Sequence, residues 1–436
     1  MKTILSSDKD LFLLNYEGQD FSSEAKTFLK TRESASEHLS KSTFPDRKDE
    51  EWKYTRITGL LKKNFAPQTS INVKSVNQFR IPEWNGHTLV FVNGFFAPKL
   101  SNIIRDEDDT FILCNLNEAK IKSVEKLEPH YGLVAKYREN VFTALNTAYA
   151  NDGMFLYLPK NMVLDLPVHV MHVTEGEEIS SQPRNFILAE KGSQANIVLS
   201  YHSADDNECF TNGVTEIVAE ANSHIQIDKI QLENESSYHV NREEINQDKD
   251  STVSVNTITV GGKLTRNDLN FHSNGSNTNS NLNGLYLTAG DQHVDNHTKV
   301  FHMKPGCESN ENYKGIVGGK STAVFNGKVF VDKKAQQTNA FQANDNILMT
   351  DHATVNSKPE LEIYADDVKC SHGSTIGQFD DEAVFFLRAR GIGEDKAKEI
   401  MVKAFADEVL SSIKNELTHD WVEGYIAKHL TKTQHV

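Results

Sequence analysis

The sequence predicts an all-β core, built as a parallel β-helix and flanked by helical regions at both ends. Three observations carry that expectation. From about residue 153 to about 375, the 436-residue chain is a succession of short β-type runs separated by turn-forming residues. Nothing in that span shows a 3.6-residue apolar stripe, and no proline occurs between Pro183 and Pro305. So many short strands exceed an ordinary two-sheet sandwich, which leaves a solenoid, a β-helix or a large barrel.

The first zone, 1–150, is mixed, with helices at both ends. Ser22 or Ser23 can cap a helix on which Phe21, Ala25, Phe28, Leu29 and Leu39 fall near helical spacing. Leu89-Val90-Phe91-Val92-Asn93-Gly94-Phe95-Phe96 reads as a strand and a tight turn, because Asn-Gly supplies the left-handed residues such a turn needs. Residues 135–148 read as a helix with Val141, Leu145 and Ala148 on one side, stopped by Asn151-Asp152-Gly153.

The second zone, 151–378, is the predicted β-helix. Ile225-Gln226-Ile227-Asp228-Lys229-Ile230 and Thr252-Val253-Ser254-Val255-Asn256-Thr257 alternate with period two. Asn267, Asn270, Asn274, Asn277, Asn279, Asn281 and Asn283 crowd one stretch. Asparagine tolerates left-handed corners, and stacked amides can ladder between coils; the blander alternative is one long Asn/Ser loop. No strict repeat length is visible in this zone.

The third zone, 379–436, turns helical. Asp380 or Asp381 can cap a short helix carrying Val384, Phe385 and Leu387, which Gly391 and Gly393 break. A second helix, from about 394 to 410 or beyond, places Ala397, Ile400, Met401, Ala404, Phe405, Val409 and Ile413 on one face, and a third runs over about 420–430. Terminal helices suit a solenoid, whose end strands otherwise expose unpaired edges.

Charge narrows the function. Lys and Arg number 46 against 61 Asp and Glu, a net charge of −15. That argues against nucleic acid or an anionic membrane as the main partner, since phosphate binding needs a basic footprint. No run approaches the ~20 apolar residues of a membrane span, and the first ten residues have no apolar stretch of a secretion signal. The expected location is the cytoplasm. The four cysteines, Cys114, Cys209, Cys307 and Cys370, are far apart and include no C-x-x-C, which excludes a local zinc or Fe–S motif and gives no sign of a disulfide framework.

Candidate chemistry concentrates in Asp367-Val368-Lys369-Cys370-Ser371-His372-Gly373. On a strand, residues two apart share a face, so Cys370 and His372 project together. Thiolate and imidazole are ligands for soft and borderline metals, but two groups do not complete a tetrahedral site. A buried thiol beside a hydrogen-bonded histidine is the structural alternative. His293, His297, His302 and Cys307 form a second candidate metal group, with ladder or surface roles as the alternative. Two runs superficially similar to phosphate loops, Val260-Gly261-Gly262-Lys263-Leu264-Thr265 and Gly315-Ile316-Val317-Gly318-Gly319-Lys320-Ser321, lack the first glycine of that motif, position 314 being Lys. They read as turns, and the expectation is a chain that hydrolyses no nucleotide.

The same C-terminal block, continued by Asp381-Glu382-Ala383-Val384-Phe385-Phe386-Leu387-Arg388-Ala389-Arg390-Gly391-Ile392, resembles the SufB/SufD family of the SUF iron–sulfur cluster assembly system, and within it the SufD branch. Glu51-Trp52-Lys53-Tyr54-Thr55, and Ala144-Leu145-Asn146 leading to Asp152-Gly153 and Leu158-Pro159, agree. The Cys-Ser-His-Gly sequence is where SufB proteins differ. The resemblance implies a right-handed parallel β-helix, a non-catalytic scaffold role, and pairing with SufB across the ends of the helices. It also implies docking of the ATPase SufC on the C-terminal helices, and a transient cluster at the SufB–SufD interface rather than one firmly held by the chain alone. It puts the cluster-building histidine on His372, with Cys370 beside it as a further candidate ligand, and leaves room for a homodimer of the isolated chain. Competing readings are a carbohydrate-active β-helix enzyme, which would want a secretion signal and an acidic, aromatic groove, and an adhesive solenoid, which would want export and cleaner repeats.

Overall fold

The computed structural model describes residues 8–22, 24–68, 73–105, 110–378 and 381–433. Its centre is a parallel β-solenoid in which consecutive strands alternate between two ten-stranded sheets. One sheet stacks Val168–Thr174, Gln194–Ser203, His224–Leu232, Thr252–Thr259, Asn279–Thr288, Glu308–Val317, Thr338–Leu348 and Val368–Gly377, all parallel. The other stacks Arg184–Ala189, Cys209–Ala219, Tyr238–Gln247, Leu264–Ser273, His293–His302, Thr322–Val331 and Thr354–Ile363. Register partners His224, Thr252, Asn279, Glu308 and Asn339 lie one coil apart, and coils run 27 to 31 residues.

A repeat does exist, at one corner of the coil. Asn161, Gly192, Asn222, Asp250, Asn277, Gly306 and Gln337 all have positive φ, one in each of seven successive coils. From Gly192 onward the next residue is Ser193, Ser223, Ser251, Thr278, Cys307 or Thr338. The hydroxyls of Ser193, Ser223, Ser251 and Thr338 donate back to the carbonyl three residues earlier, at 2.6–2.8 Å. That bond occupies a carbonyl which the turn leaves without a strand partner. The Asn-rich stretch is therefore mostly strand, with Asn277 alone of the seven at a left-handed corner. The amide ladder is present inside and outside the coil, Asn267 donating to Asn296 at 3.0 Å and Asn283 to Asn256 at 2.8 Å.

Inward columns are apolar toward one side, with Ile197, Ile227, Val255 and Leu282 stacked in register. Toward the other side they become polar, and Lys229 and Glu243 form an ion pair at 2.5 Å with both side chains essentially inaccessible.

The N-terminal region joins the solenoid. His87–Val92 extends the first sheet parallel to Val168–Thr174, then turns at Asn93-Gly94 (φ 52° and 84°) into antiparallel Phe95–Phe96. Ile112–Asn115 closes the second sheet antiparallel to Met154–Leu158. Two local expectations shift. The helix read over 135–148 is Val141–Tyr149, because Asn140 Oδ1 accepts from the Phe142 and Thr143 amides and so fixes the start. The helix Lys26–Lys41 begins after Ala25, not after Ser22, whose own amide donates to Asp20 Oδ1; Ser23 lies outside the described residues.

The C-terminal helices are Asp381–Arg388, Glu394–Leu410 and Glu416–Thr433; Asp380, one of the two proposed caps, lies outside the described residues. The second helix buries Val402, Ala406, Val409 and Leu410, with Ile413 just after it, against Ile230, Ile258, Leu285 and Ile316 on the outer face of the first sheet. Each full aliphatic burial of this kind contributes roughly 1.5–3 kcal/mol. The buried stripe is thus rotated from the one read in the sequence: Ile400 and Ala404 face outward, because the i, i+4, i+7, i+8 set starting at Val402 is the one that meets the sheet. Among the described residues, no helix is long and apolar enough to cross a membrane.

Candidate functional site

The last coil, made of Thr354–Ile363 and Val368–Gly377, is the outer edge of both sheets. No described strand pairs with its far side, so a row of backbone donors and acceptors faces outward. Phe341, Ile363, Tyr364 and Ile376 are exposed around it.

Cys370 and His372 lie on the final strand, in register with Ala340 and Gln342. Ala340 and Gln342 are buried while Phe341 between them is exposed, so the Cys370 and His372 column is the inward one. Because no coil covers it, His372 is exposed. Cys370 is half-buried against the cluster that holds Val329, Val331, Ala335 and Ala340. Burial pushes its thiol pKa up, opposed by a backbone hydrogen bond at Ala340. In the free chain it is a neutral thiol that must lose a proton before it binds metal. Cys370 and His372 therefore do share a face, at an end of the coil stack that no described strand covers.

The second candidate group does not converge. His293 and His297 are two positions removed from Asp295 on either side, on the outer face of their strand; His302, of opposite parity, points inward, where its Nε2 meets Ser309 Oγ at 2.9 Å. Burial lowers the pKa of His302 to about 4. Cys307 is the thiol member of the corner repeat, its Sγ donating to the Gly275 carbonyl. His293 Nε2 meets Thr55 Oγ1 at 2.8 Å. His297 sits between Glu51 (3.2 Å) and Asp295 (3.0 Å), one at each ring nitrogen. Burial and the Arg266 charge push its pKa down, but the two carboxylates outweigh them and raise it. With a carboxylate beside each ring nitrogen, His297 is committed to ion pairing and does not converge with His302 or Cys307.

Residues 50–55 form a strap that the sequence reading missed. Glu50 pairs with Lys358 at 2.7 Å, Glu51 with His297 and Lys299, Trp52 covers the Arg266 guanidinium at 4.3 Å, and Thr55 donates to Asp295. Arg266 in turn holds Asp268 (2.8 Å) and Asp295 (2.7 Å), all buried. The strap thus ties the N-terminal region to three strands of the second sheet, Leu264–Ser273, His293–His302 and Thr354–Ile363, the last of them at the open edge.

Also missed was the interior directly beneath His372. Glu311, Gln342 and His372 occupy one column in three successive coils. Gln342 Nε2 donates to Glu311 Oε2 at 2.7 Å. Burial lifts the Glu311 carboxyl to about 7, against the pull of that bond. The Glu311–Gln342 pairing was not legible, since the partners are 31 residues apart with no motif.

Elsewhere, both Gly-Lys runs are turns between strands, Gly262 (φ 85°) and Gly319 (φ 62°) at their tips, with no helix following. His419, Asp420 and Glu423 bring ligand atoms within 4.8 Å of one another on the last helix, but Glu423 is already paired with Lys403.

Fold and site together define a class: a parallel β-helix protein, without a described nucleotide loop, that presents a thiol and an imidazole on an uncovered final coil. Residues 172–405 match the family described as SUF system FeS cluster assembly, SufBD core domain, and residues 9–170 match the SufBD protein N-terminal region. An iron–sulfur cluster assembly SufBD family protein of Synechocystis is 33% identical over 93% of this chain and 92% of its own length. The iron–sulfur cluster assembly protein SufD of Escherichia coli is 31% identical over 87% and 88%, and SufD of Bacillus subtilis 25% over 67% and 69%. The chain belongs to the SufBD family of iron–sulfur cluster assembly proteins.

Proposed function

We propose that this protein is the SufD-type scaffold subunit of a cytoplasmic SUF complex, pairing with a SufB chain through its uncovered final coil and with the ATPase SufC through its C-terminal helices. The observation that carries the reading is the placement of Cys370 and His372 on the inward face of that coil, exposed at an unpaired edge. A second β-helix abutting this end would cover the edge, bury Phe341, Ile363, Tyr364 and Ile376, and supply the ligands that two groups lack. Iron and sulfide are then the cargo assembled there: neutral imidazole and thiolate bind iron, and the chain's part is to hold the two side chains in place. Phe385 (71% exposed) and Phe386 (55%) on the first C-terminal helix are apolar groups suited to a protein partner.

Co-expression tests the reading. The full chain should co-purify with SufB and SufC, and the anaerobically reconstituted complex should acquire visible Fe–S absorbance. Removing residues from 394 onward should abolish SufC capture while the β-sheet circular dichroism remains. Retention of SufC by that truncated chain would contradict the docking assignment.

A further inference from the structure

Beneath the final coil, the column Glu311–Gln342–His372 is built with unusual specificity. Strands one coil apart are separated by about 4.8 Å, so Gln342 stands between the other two, a single layer from each. Its side chain is buried, and one end of the amide is committed: Nε2 donates to Glu311 Oε2. The other end, Oε1, is buried and has no partner. Against the ionised carboxylate of Glu311, reversing the amide would set oxygen against oxygen, so the orientation with Nε2 on Glu311 is the one that form selects. Opposite it, the fold makes room with Gly327, where a Cβ would come 2.1 Å from Gln342 Nε2. A buried carbonyl oxygen is thus held without a hydrogen bond, one coil from an imidazole that makes no side-chain hydrogen bond among the described residues. Buried acceptors of this kind are costly, and each calls for a reason.

We propose that Gln342, anchored by Glu311, is a positioning residue for His372: its carbonyl oxygen accepts the imidazole N–H that does not bind metal. This rests on His372 being a ligand at the assembly interface. The contact fixes the ring's tautomer and plane, and turns the other nitrogen to the open side where a partner closes the site. Histidine ligands generally take such an orienting partner, and its loss typically costs 10–100-fold in metal affinity. The carboxyl oxygen of Glu311 accepts from the amide in either protonation state, so the anchor holds whichever form is present.

The test is a Co²⁺ titration of the complex with SufB and SufC, read by cobalt absorbance, beside thermal unfolding and circular dichroism of each variant. His372→Ala should remove the tight cobalt component; if it does not, the ligand assignment itself fails and the inference falls with it. Gln342→Leu should weaken that component 10–100-fold. The exchange Glu311→Gln/Gln342→Glu keeps an amide donor beneath a carboxylate acceptor, and should bring affinity back to within a few-fold of wild type. A merely structural role would show in unfolding and not in the cobalt spectrum. Wild-type affinity in Gln342→Leu, with His372→Ala still deficient, overturns the positioning role alone. So does a folded exchange variant that stays as weak as Gln342→Leu.

Discussion

The two ends of the β-helix are finished in opposite ways. At the first, each sheet stops in an antiparallel partner: Phe95–Phe96 folds back on His87–Val92, and Ile112–Asn115 runs against Met154–Leu158. Phe91 there is fully buried, stacked near His172 at 5.2 Å between ring centres. At the second, the two final strands leave their outer edges open and carry exposed Ile363 and Ile376 with Cys370 and His372. Exposed edges invite pairing with another chain, and proteins normally blunt them. On the proposed reading, the end that no described strand covers is the one that takes the partner.

The largest effect should come from charging the closed end. Phe91→Asp buries an unpaired carboxylate and should cost more than about 4 kcal/mol, in the range reserved for core lesions. The matching change at the open end, Ile376→Lys, should stay within roughly 0.5 kcal/mol in urea unfolding yet abolish SufB capture. Equal destabilisation by the two would erase the contrast.

Next in size is the strap that runs toward the open end. Arg266→Ala leaves Asp268 and Asp295 buried without their cation, and should lower stability by about 3–5 kcal/mol in the same assay. A loss under 1 kcal/mol would show that the strap cluster is not a structural tie.

Smaller, and dependent on pH, is the Glu51–His297 contact. Its hydrogen bond to His297 leads the causes that lower the Glu51 carboxyl to about 2. That contribution is present above the unfolded carboxylate value near 4.5 and is lost as pH falls toward 2. The His297 pKa is raised, so its contribution is complete below the unfolded histidine value near 6.5 and fades as pH rises through the folded one. Both partners are charged in the window between, where the Tm gap separating wild type from Glu51→Gln should be widest. A gap that does not vary with pH would refute the ionic role.

What could be read in advance follows the range of the interactions. Alternation is local, so the strands and the shared face of Cys370 and His372 were legible from period two, while choosing the β-helix over a barrel took the length of the strand-rich span and the family resemblance. The same parity argument separates His302 from His293 and His297, since positions of opposite parity on one strand cannot share a face. The coil repeat stayed hidden because what recurs is a conformation, filled in turn by Gly, Asn, Asp and Gln and followed by Ser, Thr or Cys, at spacings that drift from 27 to 31. Cys307 looked like a ligand because it follows three histidines in sequence; it stands at the Ser/Thr place of the corner, with its Sγ donating to the Gly275 carbonyl. The strap was illegible because Glu51 and His297 are 246 residues apart. The first and second C-terminal helices were placed correctly at 381 and 394, yet the phase of the second depended on a sheet whose outer face the sequence does not display.

The measurement closest to the central claim is iron–sulfur assembly on His372→Ala in the reconstituted complex. His372 is exposed at the uncovered end, so its loss should leave circular dichroism, unfolding and capture of SufB and SufC unchanged, while the visible Fe–S absorbance fails to develop. Normal cluster formation in an intact His372→Ala complex would contradict the account and remove the open end as the assembly site.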